Sequence, residues 1–529
     1  MTKTAFDFTD IPFHNSLVKD YLTGELSSEF YGERANLEGF RKQIENFQFP
    51  MLHREVLVKS LKRQYQDFSS DLVLNQIASL TQENTYTITT GHQLNLATGP
   101  LYFLYKIAHT ISLSEYLNSQ FPKCHFIPVY WMATEDHDFI EINHFYSKGK
   151  KFVWESEQGG AVGRFSTEGI DKVLNALKRQ HDVASFSDEL KELLKDAYKE
   201  KSLAEATRKL AHRLFGDKGL IVIDADCREL KGLAADLWKK ELEGDFSANL
   251  VASQNSKLEA NGYSIQVNPR EINLFYLEKN KRTRIVKDGS DQYALADRSI
   301  CWSKSELFAE VESHPENISP NVLLRPLYQE KILPNLAYIG GGAELSYWLQ
   351  LKPIFETVNL RFPILIARNS FLLVDHKTAK KCEALNLNWI HFFKSKDALI
   401  NFEIRRVSNI DLDFTSAHFN LDEQFNRLRK IATDTDKSFE GAVNAQEKKQ
   451  KKGLYKLEKR LLKAQKRVLS DHVSRVSLLY DLVKPLGTHQ ERIENFSSFY
   501  NQLGQSLIEK LIEESNTIQG KFVVIQWDF

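Results

Sequence analysis

Residues 85–100 read TYTITTGHQLNLATGP, and the way this stretch divides decides the fold. Thr85-Tyr86-Thr87-Ile88-Thr89 alternates with the two-residue period of a strand. The LYFLYKIAHTISLSEYL that follows (101–117) has the length and composition of a helix. Pro100 suits the first helical position, where its missing N–H would have no partner in any case. HFIPVYWM (125–132) then supplies a second apolar strand. Strand, crossover helix and strand make a βαβ unit and imply a parallel sheet. The turn inside that unit carries His92, Gln93 and Asn95, three hydrogen-bonding side chains directly after a strand.

Further strands are expected at GLIVIDAD (219–226), LAYIGGG (336–342) and FPILIARN (362–369), with a helix in AELSYWLQLKPIFE between the last two. The fold class is therefore α/β, a parallel-sheet core over residues 1–380. Two insertions interrupt it, at about 151–215 and 240–315. The first opens on a hairpin-like FVWESEQGGAVGRF (152–165) and continues as helices, with Ser202 and Glu205 at capping-box spacing. The second contains a hairpin in INLFYLEKNKRTRIVK (272–287). Beyond this core the pattern changes to a helical region, 381–515. Leu454, Leu457, Leu461, Ala464 and Val468 recur at the spacing of a coiled-coil seam, and Phe425, Leu428 and Ile431 suggest an antiparallel partner helix. A terminal strand is expected within 516–529, packing back on the core.

With 529 residues the chain is too long for one simple core. Lys+Arg and Asp+Glu are equal at 70 each, which argues against global attraction to nucleic acid or an anionic membrane. The ten basic residues between Gln446 and Arg467 lie among seam leucines and read as a solvated coiled-coil face. Cys124, Cys227, Cys301 and Cys382 form no CxxC pair, which suits a reducing cytosol. No signal peptide is expected in MTKTAFDFTD, and no apolar run is long enough to span a bilayer.

Ligands of open parallel sheets bind beyond the carboxyl ends of the strands. The residues that follow the expected strands are Gly91, His92, Gln93 and Asn95; Thr134 to Asp138; Asp224 and Asp226; Gly340, Gly341 and Gly342; and Arg368 with Asn369. Backbone N–H groups and the helix dipole at the first turn favour an anion, to which His92 and Asn95 can donate; capping of the turn is the alternative use. In EDHDFIEINH (135–144), neighbouring carboxylates raise the basicity of an imidazole, so His137, oriented by Asp136 or Asp138, is a candidate general base. His137, Asp138, Glu141 and His144 could instead ligate a metal, although their spacing matches no HExxH signature, or the segment could be a solvated acidic loop. The glycines of IGGGAELSYW permit close approach of a phosphate or simply tight packing, and neither GxGxxG nor GxxxxGK[ST] is present. Arg325 suits carboxylate recognition by a ligand or by an acid within the fold.

Five blocks together resemble the bacillithiol biosynthesis cysteine-adding enzyme family, the cysteine ligases. They are TGHQLNLATGPLYFLYK (90–106), PVYWMATEDHDFIEINH (128–144), SPNVLLRPLYQE (319–330), LPNLAYIGGGAELSYWLQLK (333–352) and GTHQERIENF (487–496). The resemblance spans essentially the whole chain. It implies a Rossmann-like core similar to nucleotidyltransferases and class I aminoacyl-tRNA synthetases, and a dimerising C-terminal coiled coil. It also implies a cytoplasmic ligase that adds L-cysteine to glucosaminyl-malate, with ATP the expected activator of the cysteine carboxyl. The synthetases' HxGH turn is here His92-Gln93-Leu94-Asn95, without the second histidine, and KMSKS is absent. In this frame His92, Asn95 and Gly340–Gly342 hold phosphate or the acyl oxyanion, and His137 with Asp136 takes the amine proton. Gln93, Glu135, Arg325 and Arg368 bind substrate, the two arginines on the malate carboxylates. A homodimer is expected; a bound metal, nucleic acid and membrane are not. The rival expectations are a non-catalytic scaffold built on the coiled coil and a metal-dependent hydrolase using residues 135–144.

Overall fold

In the computed structural model, which describes residues 3–180, 185–244, 246–289, 291–435, 437–516 and 518–527, five parallel strands carry the expected α/β order. They are β1 (Thr85–His92), β2 (His125–Met132), β3 (Ile221–Asp224), β4 (Asn335–Gly340) and β5 (Ile364–Ala367). Side by side they run β5-β4-β1-β2-β3. Every residue of β1 is buried, as a strand covered on both faces requires. Ile339 lies opposite Thr90 on one side of β1, and Trp131 lies opposite Gly91 on the other. The chain leaves β1 towards β2 and β3, then returns to add β4 and β5 on the other side. Strand order thus reverses between β1 and β4, and a crevice opens at their carboxyl ends.

Helix α1 (Tyr102–Gln120) makes the crossover from β1 to β2. It begins later than Pro100 suggests, because the chain first makes a short 3-10 turn, Leu96–Thr98. Ala97, Thr98 and Gly99 all have positive φ, at 47°, 68° and 64°. Only the glycine tolerates this readily; the left-handed region costs the other two roughly 1–2 kcal/mol each. A side chain at position 99 would also strike Asn95, whose Cβ stands 2.5 Å from the site of the missing atom. The turn is held from outside. Asn495 Nδ2 donates to the carbonyls of Ala97 (2.7 Å) and Gly99 (2.6 Å), and the Ala97 N–H donates to the Tyr198 hydroxyl. Neither partner is local, so the propensities of residues 96–100 give no sign of the turn.

Helix α2 (Arg325–Ile332) precedes β4, and α3 (Gly342–Trp348) follows it. The hairpin expected at 152–165 lies mostly ahead of the first insertion, pairing His144–Ser147 with Lys150–Val153. The tight reversal sits at Lys148-Gly149, where both residues take positive φ. In the second insertion Leu274–Glu278 and Lys281–Lys287 form a hairpin within a five-stranded sheet. The strand Lys521–Trp527 pairs antiparallel with Lys3–Asp7. These parts belong to one compact unit, Met1–Leu373 with Gln490–Phe529.

The second unit, Val374–His489, is helical around α4 (Thr415–Thr433) and α5 (Lys437–Val468). The 32 residues of α5 make a rod about 48 Å long. Phe425, Ala432 and Val443 are buried between the two helices, with Leu421 and Leu428 against them. Ion pairs Asp422–Lys451 and Arg429–Glu447 set an antiparallel register. Ile431, expected in this seam, points outward. The inward stripe Leu421-Phe425-Leu428-Ala432 has 4-3-4 spacing, which leaves position 431 off the face. Along the later half of α5, Leu454 and Leu461 are half-buried, while Leu457 and Val468 are exposed.

Asn495→Ala strips the donors from two buried carbonyls and is expected to cost about 2–4 kcal/mol, read as a lowered urea midpoint with an unchanged m-value.

Candidate active site

The crevice between β1 and β4 is a cleft of about 380 Å³. β1 contributes Gly91 and His92, and Gln93 follows; β2 contributes Trp131; α1 contributes Tyr102 and Lys106. β4 and α3 supply Tyr338, Gly341, Gly342 and Glu344, while Arg325, Arg368 and Arg492 complete the wall.

Lys106 and Glu344 join the two sides. Lys106 Nζ is 2.6 Å from Glu344 Oε2 and donates to the Gly91 carbonyl at 2.7 Å. Glu344 also accepts the Gly341 N–H (2.9 Å) and the Tyr338 hydroxyl (2.7 Å). Burial works to raise the Glu344 carboxyl, but the Lys106 charge and these hydrogen bonds outweigh it and hold the group ionised. Burial draws the Lys106 ammonium below its ordinary value, with Glu344 opposing.

Burial first, and the Lys106 charge second, bring His92 down to about 3. The ring is therefore neutral. Its Nδ1–H donates to the Gln93 carbonyl at 2.7 Å, which leaves Nε2 as a buried lone pair with no partner among the described residues. In a neutral ring with Nδ1–H already given to Gln93, the remaining nitrogen of this cleft-lining residue is an acceptor, whereas the sequence reading made His92 a donor to an oxyanion. Close by, His14 packs where a side chain at Gly342 would sit. Burial and Arg368 hold it at about 4.

The arginines divide into two kinds. Arg368 grips Glu491 with both terminal nitrogens, at 2.9 and 2.6 Å. Its fork is consumed within the fold, against the expectation that it would hold a substrate carboxylate. Only its Nε–H, beside Gly341, lacks a partner. Arg325 is the reverse case. It donates to Gln329 Oε1 (2.9 Å) and the Tyr347 hydroxyl (3.2 Å), and no carboxylate among the described residues pairs with it. Its guanidinium lies 5.9 and 5.8 Å from the Trp131 and Tyr338 ring centres. With exposed Arg492, the cleft sets four cations against two carboxylates, Glu344 and Glu491.

The acidic block after β2 is only partly at the cleft. Cleft-lining Gln93 donates from Nε2 to Asp136 (2.9 Å) and to Glu141 (3.0 Å). His137 does not line the cleft. Its Nδ1 accepts from Arg282 at 3.0 Å and lies 3.7 Å from Asp136 Oδ1, which also accepts the His137 backbone N–H. Glu135, expected to meet substrate, lies 2.6 Å from the fully buried Lys231 Nζ. Lys231 also holds Asp226 at 2.8 Å, and Arg164 binds Asp226 through two nitrogens. Burial would raise Asp226, but Lys231 and Arg164 keep it at about 2. Among the described residues no group of three or more His, Cys, Asp or Glu is arranged to hold a metal ion. Asn95 is buried outside the cleft lining; among the described residues its Oδ1 has no partner and its side chain makes no cap bond. Of the three glycines, 341 and 342 line the cleft. A Cβ at Gly340 would meet Leu345 at 2.9 Å and one at Gly342 would meet His14 at 2.5 Å, so tight packing explains both.

The sequence reading missed Lys106, Glu344, Glu491, Arg492 and Asn495. A lysine inside the apolar run LYFLYK was the available signal for Lys106. Glu344, three residues after Gly341, has the spacing of a capping box.

A parallel sheet with a cationic cleft at its switch point and a separate helical hairpin define a Rossmann-like α/β enzyme with a C-terminal coiled-coil domain. Residues 1–369 match the family model "Bacillithiol biosynthesis BshC, N-terminal Rossmann-like domain", and residues 371–527 match "Bacillithiol biosynthesis BshC, C-terminal coiled-coil domain". The chain belongs to the bacillithiol biosynthesis BshC family. It is 47% identical over 519 residues to a protein of Flavobacterium johnsoniae, covering 97% of each chain. It is 45% identical over 520 residues to one of Flavobacterium psychrophilum, covering 97% of each. A third relative, from Christiangramia forsetii, is 43% identical over 535 residues, 99% of each. All three are named "Putative cysteine ligase BshC".

His92 and His14 stay neutral when folded but take up protons near pH 6.5 when unfolded. The unfolded state then binds more protons, so their stabilisation is complete above pH 6.5 and drains as pH falls towards their folded values of about 3 and about 4. His92→Gln is expected to reduce this acid slope by about 1.4 kcal/mol per pH unit, measured by chemical unfolding at stepped pH.

Proposed function

We propose that this protein joins the carboxyl group of L-cysteine to the amine of glucosaminyl-malate, with ATP as co-substrate. What carries the proposal is the excess of positive charge in the switch-point cleft, in a chain whose relatives are named as cysteine ligases. A carboxylate oxygen is a poor leaving group. Phosphoryl or adenylyl transfer from ATP converts it into a mixed anhydride. The glucosamine nitrogen then attacks the carbonyl carbon, the C–N bond forms, the carbonyl C–O bond of the anhydride breaks to release phosphate or AMP, and the nitrogen gives up a proton.

Each available group has a part in this scheme. Arg325 keeps N–H donors beyond those given to Gln329 and Tyr347, and with Arg492 it binds the malate carboxylates. The bare Nε2 of His92 accepts an N–H of the attacking amine and aims it. Asp136, joined to the cleft through Gln93, takes the proton in place of His137. The Gly341 N–H is already bonded to Glu344, so the phosphates lie nearer the arginines than the glycine turn.

A homodimer through the coiled coil is part of the proposal. Tyr455, Leu457 and Val468 on α5 and Leu478 and Leu482 on the following helix, Ser470–Val483, are exposed. A second copy would cover this apolar line. A reducing cytosol suits four free cysteines and a thiol product.

Mass spectrometry of the protein with cysteine, glucosaminyl-malate and ATP is expected to show the amide product, and none when the nucleotide is left out. Product without nucleotide would remove ATP from the scheme, and no product at all would remove the ligation. Arg325→Gln is expected to raise KM for glucosaminyl-malate roughly 10- to 100-fold, the worth of about 1.5–3 kcal/mol for a charged hydrogen bond. Sedimentation is expected to give twice the 61.1 kDa chain mass, falling to the single chain in Leu457→Glu/Val468→Glu.

A further inference from the structure

Behind Arg325 a buried hydrogen-bond chain runs away from the cleft. Arg325 Nη1 donates to Gln329 Oε1 at 2.9 Å, and Gln329 Nε2 donates to Glu330 Oε1 at 2.8 Å. The same Glu330 oxygen accepts Asn335 Nδ2, also at 2.8 Å. Asn335 Oδ1 in turn accepts the hydroxyls of Thr87 (3.2 Å) and Thr89 (2.8 Å) on β1. Gln329 is fully buried, and Glu330 and Asn335 are 7% and 2% exposed. Two amide donors converge on one carboxyl oxygen, so the orientation of the Gln329 amide, and with it the acceptor offered to Arg325, is set by Glu330.

Glu330 also lines a second cavity, of about 800 Å³, at the amino end of β4, with Phe47, Phe49, His53, Asn335 and Arg361. Among the described residues its Oε2 makes no hydrogen bond, so this oxygen can exchange a proton with water in the cavity. Burial pushes the carboxyl up to about 8, against the pull of the Gln329 and Asn335 amides and the Arg325 charge. The other titratable or charged groups around it have partners of their own. His53 Nδ1–H donates to the Lys331 carbonyl, Lys331 pairs with Asp236, and Arg361 donates to the carbonyls of Gln43 and Asn46.

We propose that Glu330 is a positioning residue: through Gln329 it fixes the Arg325 guanidinium against Trp131 and Tyr338, and so sets how tightly the cleft grips a substrate carboxylate. This rests on Arg325 as the anchor of the malate group. The acid form is the working form. An ionised Glu330, one amide away, competes with the substrate carboxylate for Arg325.

Calorimetric titration of full-length protein with glucosaminyl-malate, without cysteine or ATP, from neutral to alkaline pH tests the proposal. Wild-type affinity is expected to fall above pH about 8. Glu330→Gln keeps the acceptor oxygen; it is expected to match wild type within about twofold at neutral pH and to lose the alkaline fall. Glu330→Leu, which leaves two amides without an acceptor, is expected to bind about tenfold more weakly at neutral pH. An alkaline fall that persists in Glu330→Gln, or a folded Glu330→Leu that binds as wild type, would overturn the proposal. If Glu330→Leu does not fold, the Glu330→Gln profile decides alone. Unchanged binding by Arg325→Gln would instead overturn Arg325 as the anchor, a separate failure.

Discussion

The cleft depends on one buried ion pair. Lys106 stands on the helix that leaves β1, and Glu344 on the helix that leaves β4. Their contact, with the bonds to the Gly91 carbonyl and the Gly341 N–H, holds together the ends of the two strands between which the chain changes direction. An uncompensated charge left here by removal of either partner would cost about 3–5 kcal/mol. The pair also decides which cations remain for a ligand. Lys106 is neutralised by Glu344 and Arg368 by Glu491, so the excess charge of the cleft resides on Arg325 and Arg492.

The same economy governs the acids. EDHDF looks like a catalytic block in the sequence because its carboxylates are adjacent in the chain. In the folded protein Glu135 turns away to meet Lys231, which lies almost a hundred positions further on, and Asp226 from another strand end joins the same lysine. The carboxylates linked to the cleft wall are those that Gln93 reaches, Asp136 and Glu141. A hydrogen-bonding residue right after β1 thus selects which part of the acidic block is tied to the cleft wall.

The strands were legible from the alternation of Thr85–Thr89 and from apolar runs such as HFIPVYWM and FPILIA, and the strand-end rule then brought His92, Gln93 and Gly341 to one cleft without any contact information. Local signals failed where the cause was remote. The hairpin after β2 reverses upstream of FVWESEQGG, at Lys148-Gly149, which alternation alone does not mark. The delayed start of α1 needs positive φ at Ala97 and Thr98, which neither residue favours and which partners far along the chain stabilise. Arg368 and Arg325 look alike at the ends of their segments. Only the position of Glu491 shows that one is spent and the other free.

Asn495 ties the turn after β1 from 398 positions further along the chain, and the segment from Gln490 onward belongs to the same unit as β1. During synthesis the sheet can assemble, and the helical unit can emerge, while this turn still lacks its clasp. The cleft acquires its final shape only once Asn495 has been made, so a nascent chain that stops short of it would carry most of the binding groups yet lack the geometry to use them.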